Sequence, residues 1–193
     1  MKATNKKSNL MTLTMGAVLT ATVIVLQMLG QFIHLGPFSV SLVLVPIIVG
    51  AAMCGPLVST WLGFIFGVVV LMTDAAAFLA ISVPGTIVTV LLKGALCGLA
   101  AGLIYMALAK VNQYFAVIVS AIICPIVNTG IFLIGCRLFF YDTISQWGMG
   151  AGFDSPVKYM FLGLVGGNFL FELGINIILC PAIVRILRIN IKH

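Results

Sequence analysis

The stretch TIVTVLLKGALCGLAAGLIYMALA, residues 86–109, decides what kind of protein this is. It holds one side chain that is charged at neutral pH, Lys93. Wound as a helix rising 1.5 Å per residue, it reaches about 36 Å, enough to cross a hydrocarbon core of about 30 Å. The rest of the chain is of the same kind. Of 193 residues, 62% are apolar and 7% are charged, and mean hydropathy is +1.27. A soluble domain carries roughly a quarter charged residues. No hydrophilic stretch is long enough to fold separately, so the expected fold class is an all-α integral membrane protein.

Working outward from residues 86–109, six spans are the simplest parse: 10–33, 38–53, 57–72, 86–109, 114–140 and 157–187. They make one six-transmembrane-helix bundle over residues 10–187, flanked by basic tails at 1–9 and 188–193. The second and third spans sit at the lower limit for crossing, about 16 residues each, so a tilted pair or a re-entrant hairpin is the alternative. Lys2, Lys6 and Lys7 before an apolar run look like a signal peptide. That run is longer than the roughly 7–15 residues of a cleavable core, and it is expected to stay as the first span. Lys2, Lys6, Lys7, Lys110, Arg185, Arg188 and Lys192 all fall at the end of the bundle that carries the tails. The other end has Lys158 and Arg137 with Asp74, Asp142 and Asp154. Cations gather on the cytoplasmic side, so the expected orientation is N-in, C-in.

The same distribution explains the net charge of +6. With no basic face interleaved with aromatics, no nucleic-acid partner is expected; the lipid bilayer is the medium. Five cysteines without a C-x-x-C pair read as small buried hydrophobes, and no metal site or disulfide framework is expected. Glycines recur at four-residue spacing, at Gly94, Gly98 and Gly102, at Gly63 and Gly67, and at Gly163 and Gly167. That spacing lets helix backbones approach closely where lipid supplies no hydrophobic drive.

Ionisable and amide groups inside spans cost several kcal/mol by most estimates, so those present are candidates for function. Thr86, Thr89, Lys93 and Cys97 share one helical face. Asn168, Glu172 and Asn176 recur at i, i+4, i+8 on the last span, and Asn128 follows Pro125 on the fifth. Gln27, Gln31 and His34 share a face at the outer end of the first span, and Arg137 lies near the outer end of the fifth. Four spans thus offer polar groups to the outer half of the membrane, which predicts a cavity open to the outside. The bland alternative is interhelical hydrogen bonding with a structural Lys93–Glu172 pair. His34 reads as an interfacial histidine, and Asn176 as a cross-helix bond.

Catalysis lacks its machinery. There is no H-E-x-x-H, no paired carboxylates and no G-x-S-x-G, and no cofactor motif. No G-x-x-x-x-G-K-[ST] is present to bind nucleotide, and no arginine ladder to sense voltage. What remains is a binder or conduit for a small polar molecule, not an enzyme.

Several segments carry a resemblance. The first span reads MGAVLTATVIVLQ, with Ala17 and Ala21 in an A-x-x-x-A arrangement. It is followed by GPFSVSLVLVPIIVGAAMCGPLVSTWLGFIFGVVVLMTD, VPGTIVTVLLKGALCGLAAGLIY and CPIVNTGIF. Together these resemble the substrate-binding S component of an energy-coupling factor (ECF) transporter, over nearly the whole chain. The resemblance implies a six-helix protein of the bacterial plasma membrane that captures a vitamin or related micronutrient from outside. It further implies a transmembrane T subunit and two cytoplasmic ATPase subunits as partners, with Ala17 and Ala21 on the partner interface. The substrate cavity would use Gln31, Lys93, Asn128, Arg137, Asn168 and Glu172. Pantothenate is the first choice of ligand, because Lys93 and Arg137 suit an anion; riboflavin, folate and a pyrimidine precursor are the others. The reading from another class is a self-sufficient secondary carrier driven by protons through Glu172, against which stand the small size and the lack of an inverted repeat.

Overall fold

The computed structural model describes residues 2–30, 32 and 41–191, with side chains placed from Leu10 to Ile186. Among them every regular element is helical. The long helices are α1 (Lys2–Gly30), α3 (Pro56–Thr73), α5 (Val83–Leu108), α6 (Gln113–Phe139) and α9 (Gly166–Ile191). The short ones are α2 (Leu44–Cys54), α4 (Ala76–Leu79), α7 (Tyr141–Gly150) and α8 (Pro156–Lys158), the last running into a π-helical segment at Tyr159–Leu164. Five stretches are long and apolar enough to cross a membrane: Leu10–Gly30, Pro56–Thr73, Val83–Leu108, Gln113–Phe139 and Gly166–Ile186.

The helix ends follow from local chemistry. Ser82 caps α5 by accepting the Gly85 N–H on its hydroxyl at 3.3 Å, and Pro84 sits in the first turn, where its missing N–H costs nothing. Asn112 caps α6, its Oδ1 accepting the N–H groups of Tyr114 at 2.9 Å and Phe115 at 3.1 Å. Gly55, at φ +90°, makes the reversal between α2 and α3 that a side chain would strain, and Pro56 then opens α3.

Two features differ from the six-span parse. The second span was expected over residues 38–53, yet its described helix is only Leu44–Cys54. Eleven residues rise about 16 Å, roughly half of the hydrocarbon thickness. The last span is interrupted as well. The π-helical turn at Tyr159–Leu164 ends at Val165, and α9 restarts at Gly166, where an added Cβ would press on the Phe161 carbonyl oxygen at 2.9 Å. π turns inside α-helices are rare and frequently fall at functional sites.

The short α2 organises the rest. Every residue from Leu44 to Ala51 is buried, because α2 packs against α1, α3, α5, α6 and α9 together. The long helices form an arc in the order α1, α3, α5, α6, α9, each packed on the next. The α3–α5 seam is the tightest. Gly63 meets Gly94, Ser59 meets Gly98, and Pro56 meets Gly102, a descending register that makes the two helices antiparallel. The Ser59 hydroxyl donates across the seam to the Gly98 carbonyl at 2.8 Å. On the other side of α5, the Ser120 hydroxyl donates to the Ala101 carbonyl at 3.1 Å, stitching α6 in place.

Candidate functional site

The described residues enclose a cavity at the end of the bundle that Ser41, just before α2, reaches. Its empty space, open solvent at the mouth included, is ≈ 770 Å³. The floor and walls come from Ser41, just before α2, and from one end of each surrounding long helix. Gln27 lines it from α1, Val70 and Asp74 from the end of α3, Thr86, Thr89 and Lys93 from α5, Asn128 and Phe132 from α6, and Asn168 and Glu172 from α9. The helical spacing on α5 and α9 read from the sequence therefore does bring these groups to one place.

Lys93 is the centre of the arrangement. Its ammonium lies 5.3 Å from the Phe132 ring centroid and 5.5 Å from that of Phe66, within cation–π range. The Lys93–Glu172 ion pair of the bland alternative is not made within 4.0 Å. Among the described residues the ion pair within 4.0 Å is Lys158–Asp154, at the exposed surface. Glu172 instead accepts the Ser41 backbone N–H on Oε1 at 2.9 Å, which ties α9 to the segment leading into α2. Asp74 Oδ2 accepts Gln27 Nε2 at 2.6 Å and the Thr73 hydroxyl at 3.1 Å.

Several buried polar atoms have no protein partner among the described residues: Gln27 Oε1, Thr89 Oγ1, Asn128 Oδ1 and, outside the cavity lining, Asn176 Nδ2. A buried polar atom left unpaired costs about 1–3 kcal/mol, and three of these atoms belong to side chains that line the cavity, one each from α1, α5 and α6. The cross-helix bond expected for Asn176 is not made by this nitrogen. The roof is aromatic. Phe78, carried by the single turn α4, meets Phe140 edge-on at 4.9 Å, with Phe132 and Trp147 each at 5.7 Å. The stretch 141–156 contains α7, whose Ile144 and Trp147 close an apolar cluster over the site.

The remaining sequence candidates lie elsewhere. Arg137 is exposed, does not line the cavity and stacks on Tyr141 at 4.0 Å. Gln31 and His34 fall outside the described residues, as does the G-P-F-S entry to the second span. Ala17 and Ala21 are both exposed, on the face of α1 opposite buried Leu19, Val23 and Gln27. Sequence reasoning missed Asp74 as a site residue. Its signal was present: it is the first acid met after an unbroken apolar span, one residue beyond Thr73.

A bundle of apolar helices around a polar, aromatic-roofed cavity defines a membrane protein that binds a small ligand. The family described as "ECF transporter, substrate-specific component" matches residues 11–184, and the chain belongs to it. It is a multi-pass cell-membrane protein and the substrate-binding subunit of a transporter rather than an enzyme. No curated protein and no solved structure matches the chain.

Proposed function

We propose that this S component captures a vitamin or related small micronutrient from outside the cell and delivers it through a transmembrane T subunit powered by two ATPase subunits. The observation that carries the reading is Lys93, placed on the wall of the cavity with aromatic rings rather than a carboxylate as its near neighbours. A cation in a low-dielectric cavity is satisfied by an oxygen acceptor or an anionic group of a ligand. Pantothenate is one candidate, with riboflavin, folate and a pyrimidine precursor as the others.

In this reading the chain makes six passes, α2 forming the inner part of the second. Both ends face the cytoplasm. Exposed Lys110 and Arg185 support this, because they lie at the end of the bundle away from the cavity, where α5 gives way to α6 and α9 runs out. The exposed Ala17 and Ala21 support a partner helix on α1, since small side chains one turn apart permit close backbone approach.

The deciding experiment is uptake in cells expressing the chain with T and ATPase subunits. Uptake should follow ATP supply and survive an ionophore that collapses the proton gradient. Loss of uptake with the gradient, at constant ATP, would establish the secondary carrier instead. A reporter fused after His193 should be cytoplasmic; an external signal there would overturn the six-pass orientation.

A further inference from the structure

We propose that the π turn at Tyr159–Leu164 is a one-residue register shift that positions the cavity face of the last span. It lets one helix line the cavity on one side of the turn and hold the aromatic roof on the other. This role does not depend on which molecule the cavity takes.

Periodicity shows the shift. Val165, Asn168 and Glu172 line the cavity, and their i, i+3, i+7 spacing marks one face of an α-helix. Continued toward the N-terminus at the same pitch, that face next meets Phe161, four residues before Val165 and seven before Asn168. Yet Phe161 is 56% exposed, and Met160 beside it is 4% exposed. Tyr159 departs further. It lies nine residues before Asn168, about 2.5 α-helical turns, so a straight helix would put it on the opposite side. It is instead buried in the roof cluster with Phe78, Phe140 and Met160. An i→i+5 turn encloses one more residue than an α turn, which offsets everything before it by one position. That offset turns Met160 in and Phe161 out.

The surroundings of Tyr159 are cut to the shifted register. A Cβ on Gly148 of α7 would stand 3.0 Å from the Tyr159 Cβ, and one on Gly163 would press on its ring at 2.5 Å. Phe153 meets that ring edge-on, with centroids 5.3 Å apart. Phe78, Phe140 and Leu164 belong to the roof cluster and also line the cavity. The register before the π turn therefore sets the roof that stands over Asn168 and Glu172. Tyr159 and Met160 do not line the cavity themselves; they are positioning residues that act through the three that do.

The test is disulfide mapping in the full-length protein, with Cys136→Ala to remove the native thiol of the same cluster. Gly148→Cys is paired with Tyr159→Cys or with Met160→Cys, oxidised with copper phenanthroline, and the linked peptides are identified by mass spectrometry. Linking through Tyr159 should exceed linking through Met160 at least about tenfold, because a straight helix is needed to bring Met160 to that place. The second measurement removes the extra residue. Deleting Leu162, which is exposed, should turn the π turn into an α turn and leave both faces where they were. The Leu162-deleted protein should keep the Tyr159 link and unfold within about 4 °C of the full-length chain. In a straight helix the same deletion would swing Tyr159 about 100° away from Gly148. Preferential linking through Met160 in the full-length chain would overturn the proposal, whatever the deletion does. So would a Leu162-deleted protein that fails to fold or loses the Tyr159 link. Neither result touches the transport reading, which stands or falls on uptake.

Discussion

Lys93 and Gly94 are neighbours in the chain and belong to opposite regimes. Gly94 faces α3, where backbone meets backbone at Gly63 and a Cβ on either residue would overlap the other's carbonyl. Lys93 faces the cavity with Thr86 and Thr89, where the walls stand apart and some buried polar atoms have no protein partner among the described residues. One helix thus carries a sealed seam on one face and a site on another. In a bilayer, apolar burial does little to hold helices together, so rigidity comes from close contact and short interhelical hydrogen bonds. The α3–α5 seam supplies that rigidity, and the cavity face of α5 is carried on it.

The largest effect should come from breaking the seam. Gly94→Val places a branched side chain against the Gly63 backbone, which cannot swing aside. Overpacking of a core costs about 1–3 kcal/mol where side chains can yield, and more against backbone. Little monodisperse protein should survive purification, as read by size-exclusion profile and thermal unfolding in detergent. A well-folded Gly94→Val protein with normal unfolding temperature would show that the seam is not what holds the arc together.

Next comes the site face of the same helix. Lys93→Met keeps most of the bulk and removes the charge. Affinity for the retained ligand should fall by about 2–5 kcal/mol, as for one partner of a buried charged contact, while the unfolding temperature stays within a few degrees. Unchanged affinity would make Lys93 a structural residue. Arg137→Ala should matter far less, because Arg137 is exposed and its neighbour is the Tyr141 ring. An exposed cation–π contact contributes about 0.5–1 kcal/mol to stability, and ligand affinity should move by less than that. A drop like that of Lys93→Met would place Arg137 back in the binding site.

The smallest effect on affinity belongs to Ala17→Trp. The side chain would project from the exposed face of α1, away from Gln27 and the cavity. Binding by the solitary protein should be unchanged, yet co-purification with the T subunit and uptake in cells should both be lost. Impaired folding would mean that Ala17 packs within this chain; full uptake would remove it from any interface.

Some of this was legible before any coordinates. Residues 86–109 needed only composition and length to be a membrane helix. The i, i+3, i+7 spacing of Thr86, Thr89 and Lys93, and the i, i+4 spacing of Asn168 and Glu172, put those groups on single faces. Periodicity is a local property, and the helix is regular enough for it to hold. The glycine spacing likewise identified helices that approach closely. It did not say that Gly63 faces Gly94, since partner choice depends on where both helices lie.

What tertiary structure alone decided is how the faces meet. Asp74 reads as a loop acid until the end of α3 comes beside Gln27. Arg137 and Asn128 lie on one helix, but only Asn128 faces inward. The Lys93–Glu172 pair looked natural from charge alone, yet Glu172 is held by the Ser41 N–H and the ammonium lies between rings. The cavity itself draws on one end of each long helix, and no hydropathy profile registers which helix ends come together. Sequence determined that these segments must be apolar helices with particular polar faces, because that follows from transfer energy and helical pitch. Tertiary packing determined which polar groups share a space, because that depends on helix ends, crossing register and the length of a neighbour.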